Sequence, residues 1–379
     1  TLTILSSAYA DHGFDRDASY FLEQIRMEDV VPNVGMLLCS LKACKKTGSV
    51  GKGRDLHIQI SKWGLESNTF IGSALLDMYA KCGLLAEAHH VFDGILSRDV
   101  ISWTALIAGY ADNGHITSAL DCLEKMKTEG VFPNSVTFLC ILRGCTNIAT
   151  MAKGQEVHME AVKEEFEKDP VIGSALIDMY CNCGILSRAQ EVFDNLVIRD
   201  SVTWNALLAG YAQLGESEKV CNILNGMLEE GQRPSMVTFV SVLNACSHAG
   251  LMDEAETYYL SMSNKYGISP SIEHHTCMVM IFGCSGQFDK AISVIKTMES
   301  FNSHPVWVAL LAACKKWGNV KLGRHAFDQA IQMSDNLAAA YVHMGSIYAD
   351  AGMQEDMAKV QAMQMMLLGQ SSEAICMGD

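Results

Sequence analysis

The apolar residues of this chain follow a helical spacing that is interrupted at regular intervals by glycine and proline. In residues 100–134, apolar side chains recur three or four positions apart, the spacing of an amphipathic helix; they are Ile101, Trp103, Leu106, Ile107 and Tyr110, followed after Gly114 by Ala119, Leu120, Leu123 and Met126. Gly130 and Pro133 then end the pattern, because glycine allows the left-handed conformation that closes a helix and proline cannot continue one. The stretch therefore predicts two amphipathic helices that form one helical hairpin.

This pattern returns along most of the chain with a period of 101 residues. The shift carries Tyr79 to Tyr180, Trp103 to Trp204 and Pro133 to Pro234, and an internal match of this length fixes the architecture. Each period divides into two units of 35 residues and one of 31. The predicted hairpins are residues 1–33, 34–68, 69–99, 100–134, 135–169, 170–200, 201–235, 236–271 and 272–303.

Two weaker hairpins follow in residues 304–369, and we expect residues 370–379 to form a disordered tail. All six prolines lie at or beside a unit boundary. A single hairpin cannot bury both of its faces, so neighbours must stack. The prediction is an all-α fold, a right-handed α-solenoid of stacked helix-turn-helix repeats like those of tetratricopeptide arrays, with function on its concave surface. The first residue lies inside a helix by this register, so we expect a piece of a longer protein without its targeting segment.

The amino-acid composition restricts the classes of function that this chain can have. No apolar run approaches the roughly 18 residues that a membrane span requires. The 14 cysteines form no CxxC pair, so we interpret them as reduced thiols in a reducing compartment. A net charge of -15 and a pI near 5.2 argue against indiscriminate binding to nucleic acid or lipid.

Catalytic motifs are incomplete in this sequence. His158 and Glu160 form an HxE, the first half of a zinc-deaminase signature. The second half is missing, because Cys181 and Cys183 are only one residue apart and a zinc site needs four ligands. The glycines of GSVGKG lack the spacing of a phosphate loop. We therefore predict no enzyme, no cofactor, no metal and no small-molecule substrate.

The units resemble a known family. The stretches VTWNALLAGYAQLG, VTFVSVLNACSHAGLMDEA and GSALIDMYCNCGILSRAQEVFDNLVIRD are similar to the P, L and S motifs of plant pentatricopeptide repeat proteins. Residues 304–369 resemble the E-type extension of the organellar RNA-editing subgroup, and a DYW deaminase domain is missing from this chain. The resemblance implies a sequence-specific binder of single-stranded RNA in which two side chains of each repeat read one base.

In the family, the reading residues are a polar residue in the first turn of the first helix and the last residue of the unit. In this chain the resemblance gives the pairs Thr3 with Asn33, Ser73 with Asp99, Thr104 with Asn134, Ser174 with Asp200, Asn205 with Ser235, and Thr276 with Ser303. The L-type units have an apolar first member in the pairs Leu38 with Asn68, Leu139 with Asp169, and Val240 with Ser271. The implied RNA, from 5′ to 3′, is A, any, G, A, any, G, C or U, any, and a weakly specified base for which A is a candidate; we call it the decoded RNA.

The chemistry of this code follows from hydrogen bonding. An ionised Asp only accepts, which suits the ring N–H of guanine or uracil, whereas Asn or Ser can donate to adenine or cytosine. The unit ends also have a simpler role, because Asn, Asp and Ser are preferred helix N-caps. Capping does not explain why the other member is polar in P and S units but apolar in L units. We therefore predict both roles, and we predict that Trp103, Trp204 and the other repeated aromatics pack in the core.

Phosphate contact is where the sequence departs from the family pattern. Relatives often carry Lys two residues after the tyrosine of the first helix. Among the nine corresponding positions here only Lys46 and Lys81 are basic. We therefore expect weaker RNA binding with a shallower salt dependence than a basic array would have.

The resemblance implies a site-recognition factor for cytidine-to-uridine editing of an organellar transcript, with mitochondrion favoured over chloroplast. Residues 304–369 would recruit a deaminase in trans. An alternative within RNA biology is transcript processing, stabilisation or splicing. From another class, a protein-binding scaffold like the tetratricopeptide arrays would tolerate the acidic charge more easily.

Overall fold

The computed structural model describes residues 34–66, 68–148, 150–298, 304–333 and 338–376. All regular elements in these ranges are helical, with no strand among them, so the predicted all-α class is confirmed. Hairpin 1–33 with Thr3 and Asn33, and the unit end Ser303, lie outside the described residues. The chain divides into two compact units, Thr1–Arg199 and Asp200–Asp379.

Within the described residues, the first unit consists of paired helices with one short 3₁₀ turn, Phe166–Lys168, before its last pair. The helices are α1 (Val34–Thr47), α2 (Val50–Lys62), α3 (Thr69–Lys81), α4 (Leu85–Asp93), α5 (Val100–Asp112), α6 (Ile116–Thr128), α7 (Ser135–Ile148), α8 (Met151–Lys163), α9 (Pro170–Asn182) and α10 (Leu186–Asn195).

The second unit repeats the same pairing in its described residues. Its helices are α11 (Ser201–Gln213), α12 (Ser217–Glu229), α13 (Met236–Ala249), α14 (Met252–Tyr266), α15 (Ile272–Cys284), α16 (Phe288–Lys296), α17 (His304–Trp317), α18 (Val320–Met333), α19 (Ala338–Asp350) and α20 (Gln354–Cys376).

The first helix of a hairpin begins directly after the unit-end residue, because that residue caps it. Asn68 accepts the backbone N–H groups of Phe70 and Ile71 at 3.1 and 3.2 Å. Asp200 accepts that of Thr203 at 2.9 Å. Side-chain caps of this kind typically stabilise a helix by about 1 kcal/mol. The predicted capping role is confirmed for these residues and for Asp99, Asn134, Asp169 and Ser235.

Stacking of the first helices builds the core of each unit. In the first unit α3 packs against α5 and α5 against α7; in the second, α13 packs against α15 and α15 against α17. Most of the aromatic side chains predicted to lie in the core, among them Trp103, Phe138 and Trp204, are buried, whereas Tyr110 is half-buried. Phe92 of α4 meets Trp103 of α5 edge to face at 4.6 Å between ring centroids, so core packing is the role of these rings.

Two features describe the C-terminal hairpins. Helix α17 packs against α15 as other first helices pack against their neighbours. Helix α20 continues to Cys376, seven residues into the segment 370–379. That segment contains no proline to stop the helix.

A search of the described helices for a length and hydropathy sufficient to cross a membrane finds none.

Candidate nucleic-acid interface

The predicted pair Thr104 and Asn134 is joined through a third residue. The Oγ1 atoms of Thr104 and Thr137 are 2.8 Å apart. The Thr137 hydroxyl in turn donates to Asn134 Oδ1 at 3.1 Å, and the same oxygen caps the Thr137 backbone N–H. Thr137 is fully buried, whereas Thr104 is half-buried and Asn134 is exposed. The fold thus brings together two residues that are 30 positions apart in sequence.

The pair Asn205 and Ser235 in the second unit has the same arrangement. Thr238 donates its hydroxyl to Asn205 Oδ1 at 2.6 Å. Asn205 Nδ2 donates to Ser235 Oγ at 3.4 Å, and this oxygen lies 3.2 Å from Thr238 Oγ1. Asn205 is therefore connected to its unit-end residue through a threonine, as Thr104 is, although the two side chains differ.

The two serines of the 31-residue units are less accessible. The Ser73 hydroxyl is buried and has no hydrogen-bond partner among the residues that the structure describes. Ser174, its counterpart one period later, is 9% exposed and donates to the Val171 carbonyl at 3.0 Å. Thr276 is half-buried and likewise bonds within its own helix, to the Ile272 carbonyl at 2.8 Å. Ser174 and Thr276 thus bond within their own helices, whereas Thr104 and Asn205 each contact a threonine of the next hairpin.

The unit-end carboxylates use one oxygen for the cap. Asp99 accepts the Ser102 N–H through Oδ1 at 2.9 Å. Asp200 accepts both the N–H and the hydroxyl of Thr203 through Oδ1. A carboxylate has a second oxygen with its own acceptor capacity, so capping and recognition of a further donor are chemically compatible.

The L-type units have an apolar side chain at their first position. Leu38, Leu139 and Val240 are half-buried. Asp169, the unit-end partner of Leu139, is occupied on both oxygens, since Oδ1 caps Val171 and Oδ2 accepts the Ser135 hydroxyl at 2.7 Å.

Sequence reasoning missed a set of exposed apolar residues one helical turn before the reading positions. Each is the second residue of a first helix, where solvent exposure of a large apolar side chain has no packing explanation. Phe70 is 67% exposed and Ile101 is 58% exposed. The others are Val136, Val171, Val202 and Val237. Their signal in the sequence is an apolar residue two positions after each of the six confirmed caps. The spacing placed Ile101 on the apolar stripe of its helix, but the structure exposes it.

The predicted phosphate contacts lie at the C-terminal ends of first helices. Lys46 is exposed. The Lys81 ammonium is 3.7 Å from the Asp112 carboxylate, which also pairs with Arg143 at 2.8 Å. The hydrogen bond that Arg143 donates to Asp112 raises the pKa of Arg143. An acidic side chain therefore neutralises part of the positive charge on this line of residues.

The residues of the incomplete deaminase motif contact other side chains of the protein. His158 Nδ1 lies 2.8 Å from the Tyr180 hydroxyl, and Glu160 pairs with Lys127 at 2.7 Å. Burial raises the pKa of the Cys181 thiol to about 12. No group of three or more potential metal ligands occurs in the part of the chain that the structure describes.

Comparison with known proteins gives matches to a single repeat type. The pattern of the PPR repeat family matches residues 98–147 and 199–248. That of the PPR repeat matches residues 73–100, 174–200, 237–266 and 273–303. These matches have the same register as the hairpins described above.

Relatives in Arabidopsis thaliana include several pentatricopeptide repeat-containing proteins. One is 33% identical over 99% of this chain and 52% of its own length. A mitochondrial protein is 35% identical over 92% of this chain and 55% of its own length. The chloroplastic protein CRR2 is 36% identical over 85% and 50%. This chain therefore spans about half the length of these relatives.

Solved structures extend the likeness to the fold. The pentatricopeptide repeat protein PPR10 from maize has a TM-score of 0.58 at 18% identity, over 95% of this chain and 57% of that one. PPR10 in complex with an 18-nucleotide psaJ RNA element gives 0.64 at 16% identity, over 97% and 60%. At these identities the likeness shows a common fold of stacked helical repeats.

Proposed function

We propose, starting from the fact that this chain belongs to the pentatricopeptide repeat family, that it binds single-stranded RNA and reads its sequence along the first helices of the hairpins. The observation that carries the proposal is the joining of Thr104 to Asn134, and of Asn205 to Ser235, through one buried threonine in each case. If Asn134 and Ser235 only capped the next helix, they would need no connection to Thr104 and Asn205 in the hairpin before that helix.

Each such site combines polar and apolar chemistry. The paired side chains present donors and acceptors to the edge of a base. The exposed apolar residue one turn earlier, such as Ile101 beside Thr104, offers a surface for the face of a base. One site per hairpin suits a single strand whose unstacked bases are bound one by one.

We place this recognition in organellar transcripts, with the mitochondrion ahead of the chloroplast, and in cytidine-to-uridine editing. Support for the compartment comes from relatives named mitochondrial and chloroplastic. Support for editing comes from the likeness of residues 304–369 to an E-type extension, which would recruit a deaminase in trans. Processing, stabilisation or splicing of a transcript would use the same RNA-reading surface.

The first test is a fluorescence-anisotropy titration of this chain, at one stated salt concentration, with the decoded RNA and with a scrambled RNA of equal composition. We expect the decoded RNA to bind at least tenfold more tightly, or about 1.4 kcal/mol. The double variant Thr104→Asn, Asn134→Asp should move the fourth base from A towards U. It should fold, because Asn205 already bonds to Thr238 at the equivalent position and Asp is an equally good cap.

Leu139→Val is the matched control, because Val240 occupies the equivalent position of the next L-type unit; it should leave the fourth base unchanged. Equal binding of both RNAs would contradict sequence reading. If neither RNA bound, the unit-end residues would have a capping role only. A protein-binding scaffold would then be the better hypothesis.

A further inference from the structure

Trp317, at the end of α17, is a large aromatic side chain that is both exposed and held in place. It is 54% exposed. Its indole Nε1 donates to the Cys284 carbonyl at 3.3 Å. The ring also lies against Gly286, where an added Cβ would come within 3.2 Å of the Trp317 Cζ2 atom. The indole is thus fixed on the turn between α15 and α16 while much of its surface faces solvent.

The sequence around Trp317 is rich in positive charge, and one of its cations is held beside the indole. Residues 304–327 contain Lys315, Lys316, Lys321 and Arg324 and no acidic residue, in a chain whose net charge is -15. The Lys316 ammonium donates to the Cys284 carbonyl at 3.1 Å, the same oxygen that anchors the indole. An aromatic surface bordered by cations is the combination that binds a nucleobase together with its phosphate.

The repeat register places this cluster on the line of the proposed RNA contacts. Trp317 is the fourteenth residue of its hairpin, as Asn113 is of hairpin 100–134. Asn113 Nδ2 donates to the Ala80 carbonyl at the end of the preceding first helix, at 2.9 Å, and Trp317 makes a similar bond to Cys284, one position later in the register. Cys284 stands at the position that Lys81 occupies in its unit. The next hairpin therefore supplies, through Lys316, a charge that hairpin 272–303 lacks at this position.

We infer that Trp317 is a stacking surface for one nucleobase on the 3′ side of the bases read by the hairpins, with Lys315 and Lys316 contacting the adjoining phosphate. This inference rests on the proposed function and on its direction, in which successive hairpins read the RNA from 5′ to 3′. Stacking accepts any base, because every base has a π face. Residues 304–333 would thereby bind the strand itself and lengthen the bound RNA without adding sequence information.

The test compares three RNAs by fluorescence anisotropy: the decoded RNA, the same RNA with two added 3′ uridines, and the same RNA with two added 3′ abasic nucleotides. We expect the uridines to tighten binding about tenfold, or 1.4 kcal/mol. The abasic extension should give only a small part of that gain. Trp317→Ala should abolish the gain and leave binding of the unextended RNA unchanged, whereas Trp317→Phe should retain most of it.

Control variants distinguish the effect of the indole ring from the effect of the lysine charges and from loss of folding. Leu260→Ala, which removes a side chain that is 52% exposed on a second helix, should leave the gain intact. Lys315→Ala with Lys316→Ala should reduce the gain and its salt dependence. Thermal melts by circular dichroism verify that each variant folds.

The outcomes separate this inference from the proposed function. Binding of the decoded RNA with no gain from the uridines, or an undiminished gain in Trp317→Ala, would overturn the stacking role alone. Failure of the decoded RNA to bind would overturn the proposed function and this inference with it.

Discussion

At the scale of single residues, capping and reading involve the same side chains. Asn134 Oδ1 receives both the backbone N–H and the hydroxyl of Thr137, and that hydroxyl is in contact with Thr104. The cap therefore fixes the rotamer of the residue proposed to read the base. A helix start that is stabilised locally also orients a polar group of the preceding hairpin.

Thr137→Val tests this coupling, since valine has the shape of threonine without the hydroxyl. We expect the free energy of unfolding to fall by about 1 kcal/mol, the usual effect of losing a buried hydrogen bond. We also expect the preference for the fourth base to weaken, although Thr137 is buried and cannot touch RNA. Urea titration measures the first effect, and anisotropy with single-base RNA variants measures the second.

Thr203→Val is the comparison for this prediction. Thr203 donates its hydroxyl to Asp200 Oδ1, so its loss should cost similar stability while leaving the fourth base unaffected. If Thr137→Val lost stability but kept full selectivity at that base, orientation through the cap would be excluded.

The sequence predicted Thr104, Asn134, Asn205 and Ser235 as reading residues, because the repeat register fixes their positions. It did not identify Thr137 or Thr238. Their spacing from the cap, three residues, is the signature of a capping box, but their contact with a residue 33 positions earlier depends on how the hairpins stack. The burial of Ser73 depends on stacking too, and no pattern along one helix reveals it.

At the scale of helices, small residues set how closely the first helices approach. A Cβ added at Gly109 of α5 would lie 2.6 Å from the Ala80 Cβ of α3. Real Cβ atoms do not approach this closely, and a Cβ cannot rotate away from the backbone. The helix pair would therefore have to move apart.

Gly109→Ala and Gly345→Ala are the same substitution with opposite expected effects. Gly109→Ala should destabilise the protein by about 1–3 kcal/mol, as overpacking of a core does. Gly345 lies inside α19 with no atom within 4 Å of an added Cβ, so alanine there should stabilise by about 0.5–1 kcal/mol through helix propensity. Urea titration of both variants and of the parent chain measures the sign of each change in the free energy of unfolding. Two destabilised variants would mean that helix propensity does not control position 345.

Helix starts could be predicted well because caps, glycines and prolines are local signals. The 3₁₀ turn Phe166–Lys168 could not. It follows Glu165, which adopts a left-handed φ of 63°, where the first period has Gly64 at 70°. Glycine is the usual sequence signal for that conformation. Because position 165 is Glu and not Gly, the sequence does not indicate the turn.

At the scale of the whole molecule, the acidic balance determines what kind of RNA contact is available. Several basic residues on the first helices are paired with carboxylates, as Lys45 is with Asp77 at 2.6 Å and Arg143 with Asp112. Each pairing reduces the charge offered to phosphate. For the proposed RNA binding, we therefore expect affinity to come mainly from base edges, base faces and stretches, such as residues 304–327, that contain no acidic residue.

Stability against acid is also a property of the whole chain, because buried imidazoles recur with the 101-residue period. His57 and His158 each place Nδ1 within 3 Å of a tyrosine hydroxyl. Burial lowers the pKa of both imidazoles, whereas in the unfolded chain the pKa is about 6.5. The unfolded state therefore binds protons more readily as the pH falls through that value, and folding loses stability there.

We accordingly expect the urea midpoint of this chain to fall between pH 7.5 and pH 5.0, a range that lies above the usual titration of Asp and Glu. The double variant His57→Gln, His158→Gln should show a smaller fall, because glutamine keeps a hydrogen-bonding group for tyrosine and does not titrate. His115→Gln, at an exposed position before α6, should behave like the parent chain. An equal fall in the double variant would assign the acid sensitivity to groups other than these two, and the repeated contact between histidine and tyrosine would then serve packing alone.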